Sequence, residues 1–437
     1  MGEKGQIPSV KALLRKAVSA EPFSAEEARS LDEGGVCEPS LSDAQRVAFL
    51  TALYVRGGRG EDFRSLSCFS RIELILADLT SEKGSASSFP SMLKTVLSGA
   101  SLSAEKAEEA FDAIMSGAVS EVQLASFLTV LHMRGETPEE LLGAVRTVRR
   151  HMAPLRHVPP NAIDVCGTGG DGLGTLNVST ATAFVLAGLG VEVAKHGGRA
   201  LSSKAGATDV LEALGIPADG DVARQEQRLQ RDHLAFLAAP YHHTAMKKAA
   251  SVRKDLGFRT LFNLLGPLCN PAGVKRQLVG VFDQRWCAPV ADVLGQLGGE
   301  SIWVVQGETD EGPIDELTLA GPSHISVWEQ DQRREVTITP EMAGFSVQPV
   351  REVRGGAPQE NAQRMEALFK GEKSCYRDTV LLNAAVALHV AGRGSLWAGE
   401  QVSSRSLQHL IAQAARSLDD GFALEALTRA QRGVRAQ

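Results

Sequence analysis

Residues 164–184, DVCGTGGDGLGTLNVSTATAF, followed by VEVAKHGGR at 191–199, constrain this chain more than any other stretch. The pattern reads as a strand, a glycine-rich turn, a helix and a second strand that ends in a cation, which is the layout of a phosphate-binding site. Gly167, Gly169, Gly170, Gly172 and Gly174 let the backbone approach an anion closely and adopt positive φ angles, so that several N–H groups can converge on phosphate oxygens. Ser179 or Thr180 then starts a helix whose positive dipole end faces the same anion. Lys195, after the next apolar strand, adds a fixed positive charge.

From about residue 160 onward, strand and helix patterns alternate. AIDVCG, VEVAKHG, LAFLAAP, QLVGVF and SIWVVQGE are short apolar runs, and helical segments such as ATDVLEALG and PVADVLGQLG lie between them. Such alternation predicts an α/β fold with a mainly parallel sheet covered by helices on both faces. Residues 318–355 have a polar, β-branched character that predicts a small antiparallel excursion, and the tail from Asn361 returns to helices.

The N-terminal third is helical by its periodicity and contains an internal repeat. FSAEEA from Phe23 and AFLTALYVRGG from Ala48 correspond to LSAEKAEEAF from Leu102 and SFLTVLHMRGE from Ser126. Ser24 matches Ser103, a shift of 79 (103 − 24), and Phe49 matches Phe127, a shift of 78 (127 − 49), so the first copy is one residue longer. Each copy begins a helix with Ser and acidic residues, and closes a second apolar helix on Arg-Gly. The Ser- and Gly-rich stretch 80–91 reads as the linker between them. The expected organisation is an extra helical domain at 1–79, the linker at 80–91, a small helical domain at 92–158 and an α/β catalytic domain at 159–437.

Composition narrows the function. A chain of 437 residues with 43% hydrophobic and 22% charged residues can bury a sizeable core as two or three domains. A formal net charge of −6 argues against broad contact with a nucleic-acid backbone. Cys37, Cys68, Cys166, Cys269, Cys287 and Cys375 show no CxxC spacing and read as reduced thiols of a cytoplasmic protein. No apolar run approaches the roughly 18 residues of a membrane span, and the first residues lack a signal-peptide pattern. His196, His242 and His243 have no Cys or His partners at metal spacing, which argues against zinc.

The string GTGGDG with NVST, the KHGxR segment with SSK and DVLEALG, and the later VRKDLGFRTLFNLLGPLCNP resemble the anthranilate phosphoribosyltransferase family, from about residue 91 to the C-terminus. The resemblance implies a nucleoside phosphorylase/phosphoribosyltransferase-like fold and transfer of a phosphoribosyl group from phosphoribosyl pyrophosphate to anthranilate, in tryptophan biosynthesis. It places Gly167, Gly170, Asp171, Thr175, Asn177, Ser179, Thr180 and Lys195 at the donor, and Gly167, His196, Gly198, His243 and Arg253 at an aromatic amine acceptor. Ser179 and the acidic pair Asp315 and Glu316 in GPIDELTLAGP correspond to the residues that hold Mg2+. The Arg253 guanidinium suits a planar carboxylate, which it can bind through two parallel hydrogen bonds. The resemblance also implies a homodimer through the small helical domain. The added copy is expected to pack on the second within one chain, mimicking or blocking that contact.

Four positions depart from the family pattern. Gly198 stands where KHGNR has asparagine, Ala205 and Ala207 replace two serines of SSKSGSAD, and Thr244 replaces a proline after the histidine pair. The loss of the amide at Gly198 removes a hydrogen bond to the acceptor and widens the pocket. The readings left open are therefore a paralogue with a different acceptor, a pyrimidine-nucleoside phosphorylase, and a non-enzymatic binding or regulatory protein.

Overall fold

Serine-led capping boxes start two helices of the N-terminal third. The structure, a computed structural model, describes residues 10–19, 21, 23–24, 27, 41–57, 69–81, 88–170, 172–199 and 204–435. In the described N-terminal third the helices are α1 (Val10–Val18), α2 (Asp43–Gly57), α3 (Phe69–Leu79), α4 (Phe89–Leu97), α5 (Ala104–Ser116), α6 (Glu121–Arg134) and α7 (Pro138–His151). The segment read as a linker is thus helical from Phe89, with Pro90 in the first turn of α4.

Ser42 opens α2 and Ser120 opens α6, each exchanging backbone–side-chain bonds with a glutamine three residues on, Gln45 and Gln123. The two boxes are 78 residues apart (120 − 42 and 123 − 45), the same shift as the Phe49–Phe127 match. The copies pack on one another within the chain, where the Thr51 hydroxyl donates to Ser126 Oγ at 3.0 Å in a buried contact between α2 and α6. Residues Leu124 to Leu131 of α6 are all buried. Phe127 meets Phe89 and Phe111, with ring centroids 5.3 and 6.3 Å away.

A later segment joins these helices. Thr244–Leu265 clusters with the described residues up to His151, whereas Met152–His243 and Gly266–Gln437 form the second unit. Phe262 packs on Phe111 at 5.6 Å and Phe258 on His132 at 4.8 Å, which brings the short helix α11 (Ala250–Leu256) into the helical unit.

The second unit is built on an eight-stranded mixed sheet. Its strands are β1 (Ile163–Gly167), β2 (Val193–Gly197), β3 (Leu234–Ala238), β4 (Arg276–Gly280), β5 (Ser301–Thr309), β6 (Gly312–Ile314), β7 (Ser323–Glu329) and β8 (Gln332–Ile338). They run in the order β3-β2-β1-β4-β5-β7-β8, with β6 on β5; the first five are parallel, and β6, β7 and β8 are antiparallel. The antiparallel excursion expected from residues 318–355 is β7 and β8, joined by Gln330 and Asp331, both with positive φ as a two-residue I′ turn requires.

Helices α8 (Val178–Gly188), α9 (Ala207–Ala213) and α10 (Val222–Asp232) follow or separate the first strands. After α12 (Phe262–Leu268) come α13 (Cys287–Gln296), α14 (Pro358–Phe369), α15 (Cys375–Val390), α16 (Ser404–Asp419) and α17 (Phe422–Arg435). α15 is buried along nearly its whole length, and its apolar side chains form one core with Phe184, Trp303 and Phe369. Among the described residues no helix is long and apolar enough to cross a membrane. Cys166, Cys269, Cys287 and Cys375 form no disulfide among the described residues; Cys37 and Cys68 lie outside the described residues.

Candidate active site

The strand order fixes where a ligand can sit. The chain steps from β1 outward to β2 and β3, then returns to the other side of β1 as β4, so the carboxyl ends of β1 and β4 form the topological switch point of the sheet. Gly167 and Gly280 end these strands as register partners. Beyond them Thr168 N donates to Gly280 O at 2.9 Å and Phe282 N to Thr168 Oγ1 at 3.1 Å. The glycine-rich turn of the sequence lies at this opening.

The acidic pair closes over the same point. Asp315 Oδ2 accepts from Gly169 N at 2.6 Å, and Glu316 Oε1 accepts from Ser179 N at 3.1 Å. Residues 314–316 can lie this close only because both strand ends are glycine. A Cβ at Gly167 would overlap Asp315 Oδ2, and one at Gly280 would overlap the Asp315 carbonyl oxygen. Gly169 and Gly170 beyond β1 have φ of 66° and 76°, a conformation that leaves their amides free of Cβ crowding.

α8 begins at Val178, with Asn177 as its N-cap residue and no side-chain cap of its own. Glu316 takes the place of that cap by accepting the Ser179 N–H, one of the helix's four orphan donors. The Asn177 amide instead joins three segments, donating to Ala205 O at 3.3 Å and accepting from Asn361 Nδ2 at 3.0 Å. Thr175 bridges to Arg354, and Gly355 N donates to Gly174 O at 2.8 Å, which pins the far side of the turn. Thr180 is buried, and its hydroxyl has no hydrogen-bond partner among the described residues.

Lys195 is only 3% exposed, and its ammonium lies under the turn. It donates to Val165 O at 2.7 Å and to Ser179 Oγ at 3.2 Å. The ammonium thus fixes the direction of the Ser179 hydroxyl, on the residue whose backbone N–H Glu316 accepts. A cleft opens along Lys195, Gly197, Ala207, Thr208 and Arg228.

Behind β2 lies a buried polar layer. Asp164 accepts from His196 N at 3.1 Å and from Asn270 Nδ2 at 2.7 Å, and burial raises its pKa above the ordinary value. His196 Nδ1 meets Gly266 O at 2.9 Å, and its Nε2 meets His243 Nε2 at 3.2 Å. With Nδ1 protonated for the carbonyl, His196 Nε2 is the acceptor and His243 the donor. Burial, reinforced by each ring's histidine neighbours, pushes His196 down to about 3 and His243 down to about 4, so both are neutral near pH 7. Gly198 follows β2 with space around it; the nearest atom to a Cβ there would be Ala239 Cβ at 3.8 Å.

Arg253 belongs to the helical unit and lies on α11. Its guanidinium sits over the Phe262 ring, 5.2 Å from the centroid. No carboxylate pairs with it among the described residues, and burial lowers its pKa. Of the residues singled out in the sequence, Asp171 lies outside the described residues.

Comparison with known proteins gives the family. A model for a glycosyl transferase family a/b domain matches residues 159–424, and one for the helical bundle domain of the same family matches residues 90–152. Anthranilate phosphoribosyltransferase of Gluconobacter oxydans is 59% identical over 343 residues, which cover 78% of this chain and 94% of that protein. The chain belongs to the anthranilate phosphoribosyltransferase family. The Beijerinckia indica member is 45% identical over 341 residues, 78% of this chain and 96% of its own length. The crystal structure of the Thermus thermophilus member is 39% identical with a TM-score of 0.71, covering 78% of this chain and 99% of that one. The Saccharomyces cerevisiae member, solved in complex with PRPP and Mg, is 27% identical with a TM-score of 0.71, covering 82% and 99%.

Within this member of the anthranilate phosphoribosyltransferase family, the turn, Ser179, Lys195, Asp315 and Glu316 come together at the switch point, and His196 and His243 come together behind β2. Sequence reading missed Gly280, Asp164 and Asn270. Gly280 had one visible signal, a glycine at the end of an apolar strand, and Asp164 another, an acid inside the β1 run. Asn270, in a loop after α12, carried no signal of its own.

Proposed function

We propose that this chain transfers the phosphoribosyl group of phosphoribosyl pyrophosphate to anthranilate, releasing pyrophosphate, as a step of tryptophan biosynthesis. The observation that carries this reading is the closure of Asp315 and Glu316 onto the glycine turn and the start of α8, which joins anion-binding amides to an oxygen ligand set at one point. Family membership and the names of its relatives supply the acceptor.

In this reading Gly167, Gly170, Asp171, Thr175, Asn177 and Thr180 shape the donor cradle, and the amides of the turn meet the donor's phosphates. Ser179, Asp315 and Glu316 offer only oxygen atoms, which suits a hard cation shared with substrate phosphates. Bound Mg2+ would neutralise charge on the departing pyrophosphate. Lys195 holds the Ser179 hydroxyl by donating to it and adds positive charge to the donor cradle. The protein has little covalent work here: it holds the leaving group and presents the amine in line.

On the acceptor side Arg253 takes the anthranilate carboxylate, an assignment supported by its lack of a carboxylate partner among the described residues. The resemblance gives His196 and His243, both neutral near pH 7, a part in acceptor binding, and Gly198 leaves space beside the end of β2. Arg253→Ala is expected to raise KM for anthranilate about ten- to a hundredfold, the range for a charge-assisted pair. KM for phosphoribosyl pyrophosphate should stay within twofold in the same steady-state assay; equal loss for both substrates would contradict the role.

Gly198 favours a second reading, an acceptor other than anthranilate, because the family's asparagine is missing there although a Cβ would meet only Ala239 Cβ at 3.8 Å. Gly198→Asn should therefore fold normally and lower KM for anthranilate by about two- to tenfold, the worth of one hydrogen bond. An unchanged KM, together with faster turnover of another aromatic amine by the wild type, would favour the second reading. Turnover with anthranilate and a panel of aromatic amines, each with phosphoribosyl pyrophosphate and magnesium, separates the two. The added copy covers part of α6 through Thr51 and Ser126, which supports self-association altered from the bundle contact the resemblance implies.

A further inference from the structure

We propose that the added N-terminal copy positions the acceptor-binding arginine, and that Gln45 is the residue through which it acts; the assignment of Arg253 rests on the function proposed above. α11, which carries Arg253, has seven residues, too few to hold a helical conformation by itself. It ends at Gly257, with φ of 67°, whose N–H donates to Arg253 O at 3.3 Å. The remaining carbonyls of the last turn need donors from elsewhere. Gln45 provides one, its Nε2 donating to Asp255 O at 3.0 Å.

Gln45 is suited to this because its amide works in two directions. Oε1 accepts from Ser42 N at 3.2 Å and completes the capping box of α2, while Nε2 points outward to α11. The second copy uses its equivalent glutamine in the same manner. Gln123 Oε1 accepts from Ser120 N at 3.2 Å, and Gln123 Nε2 donates at 3.0 Å to the carbonyl of Leu79, the last residue of α3. In both copies the box glutamine therefore ties the start of one helix to the end of another. In the second copy the tied helix belongs to the added region; in the first it is the helix of Arg253.

α2 is a firm anchor, since Phe49, Ala52 and Leu53 are buried and Thr51 bonds to Ser126 of α6. α6 holds the same end of α11 through His132 on Phe258. The family's helical bundle model begins at residue 90, so the contact on Asp255 comes from a part of the chain outside the family match. The tie is thus specific to the added copy, and it couples that copy to acceptor affinity.

The test uses the full chain. Gln45→Glu keeps an acceptor for Ser42 N, preserving the capping box, but removes the donor and sets a carboxylate against the negative end of α11. Hydrogen exchange of the amides of residues 253–257 should speed up several-fold, with α6 unchanged. KM for anthranilate should rise about two- to tenfold, with kcat and KM for phosphoribosyl pyrophosphate within twofold. Gln45→Lys, which gives up the cap but keeps a donor for the carbonyl, should recover more than half of the lost protection at 253–257. Unchanged exchange there in Gln45→Glu, or a parallel rise in both KM values, overturns the proposal. If the wild type fails to turn over anthranilate while Gln45→Glu still loosens 253–257, the functional reading fails and the tie from the added copy to α11 stands.

Discussion

Asp315→Asn combined with Glu316→Gln is expected to lower turnover by roughly a hundred- to a thousandfold, the range for deleting a preorganised electrostatic contact. Both changes preserve shape and an acceptor oxygen, so Gly169 N and Ser179 N keep a possible partner while two negative charges disappear. What is lost is the capacity to hold a divalent cation beside the leaving group. The double variant should keep the far-ultraviolet circular dichroism of the wild type, and its residual rate should no longer respond to magnesium. Full, magnesium-dependent activity would refute the metal assignment.

Gly280→Ala should be more damaging than its chemistry suggests. A Cβ at this position overlaps the Asp315 carbonyl oxygen, so either β4 or residues 314–316 must shift. Overpacking against backbone of this kind costs about 1 to 3 kcal/mol, and the displaced segment carries both acids away from the turn. Thermal unfolding should show the destabilisation, and turnover measured well below the transition should still fall at least tenfold. Gly198→Ala is the control, because its Cβ meets only Ala239 Cβ at an ordinary 3.8 Å; it should unfold at the wild-type temperature. A Gly280→Ala variant with wild-type stability and turnover would show that the close approach at Asp315 is not required.

Local patterns made much of this legible in advance. The five parallel strands follow from short apolar runs between helical segments, and GTGGDG marks the turn at their switch point. The repeat was visible in the matched Phe49 and Phe127, and the structure adds two capping boxes at the same shift. What escaped depends on residues far apart in sequence. The placement of Thr244–Leu265 with the helices rests on pairs such as Phe111 with Phe262, which no local period announces. Ser179 or Thr180 is the helix start read from the sequence, and α8 begins beside it at Val178; the acceptor of its Ser179 N–H, Glu316, lies more than a hundred residues later and no local pattern points to it. Asn177 was read as a donor ligand, and its amide also links residues 205 and 361, a structural duty that only the folded chain reveals.

The most direct test of the central claim is the loss of anthranilate fluorescence when purified full-length protein is mixed with phosphoribosyl pyrophosphate and magnesium. The account predicts saturable turnover that requires both the donor and the metal, and that Arg253→Ala weakens through KM for anthranilate. Calorimetric binding of the donor with no consumption of anthranilate at any concentration would contradict it, and would assign the site to a different acceptor.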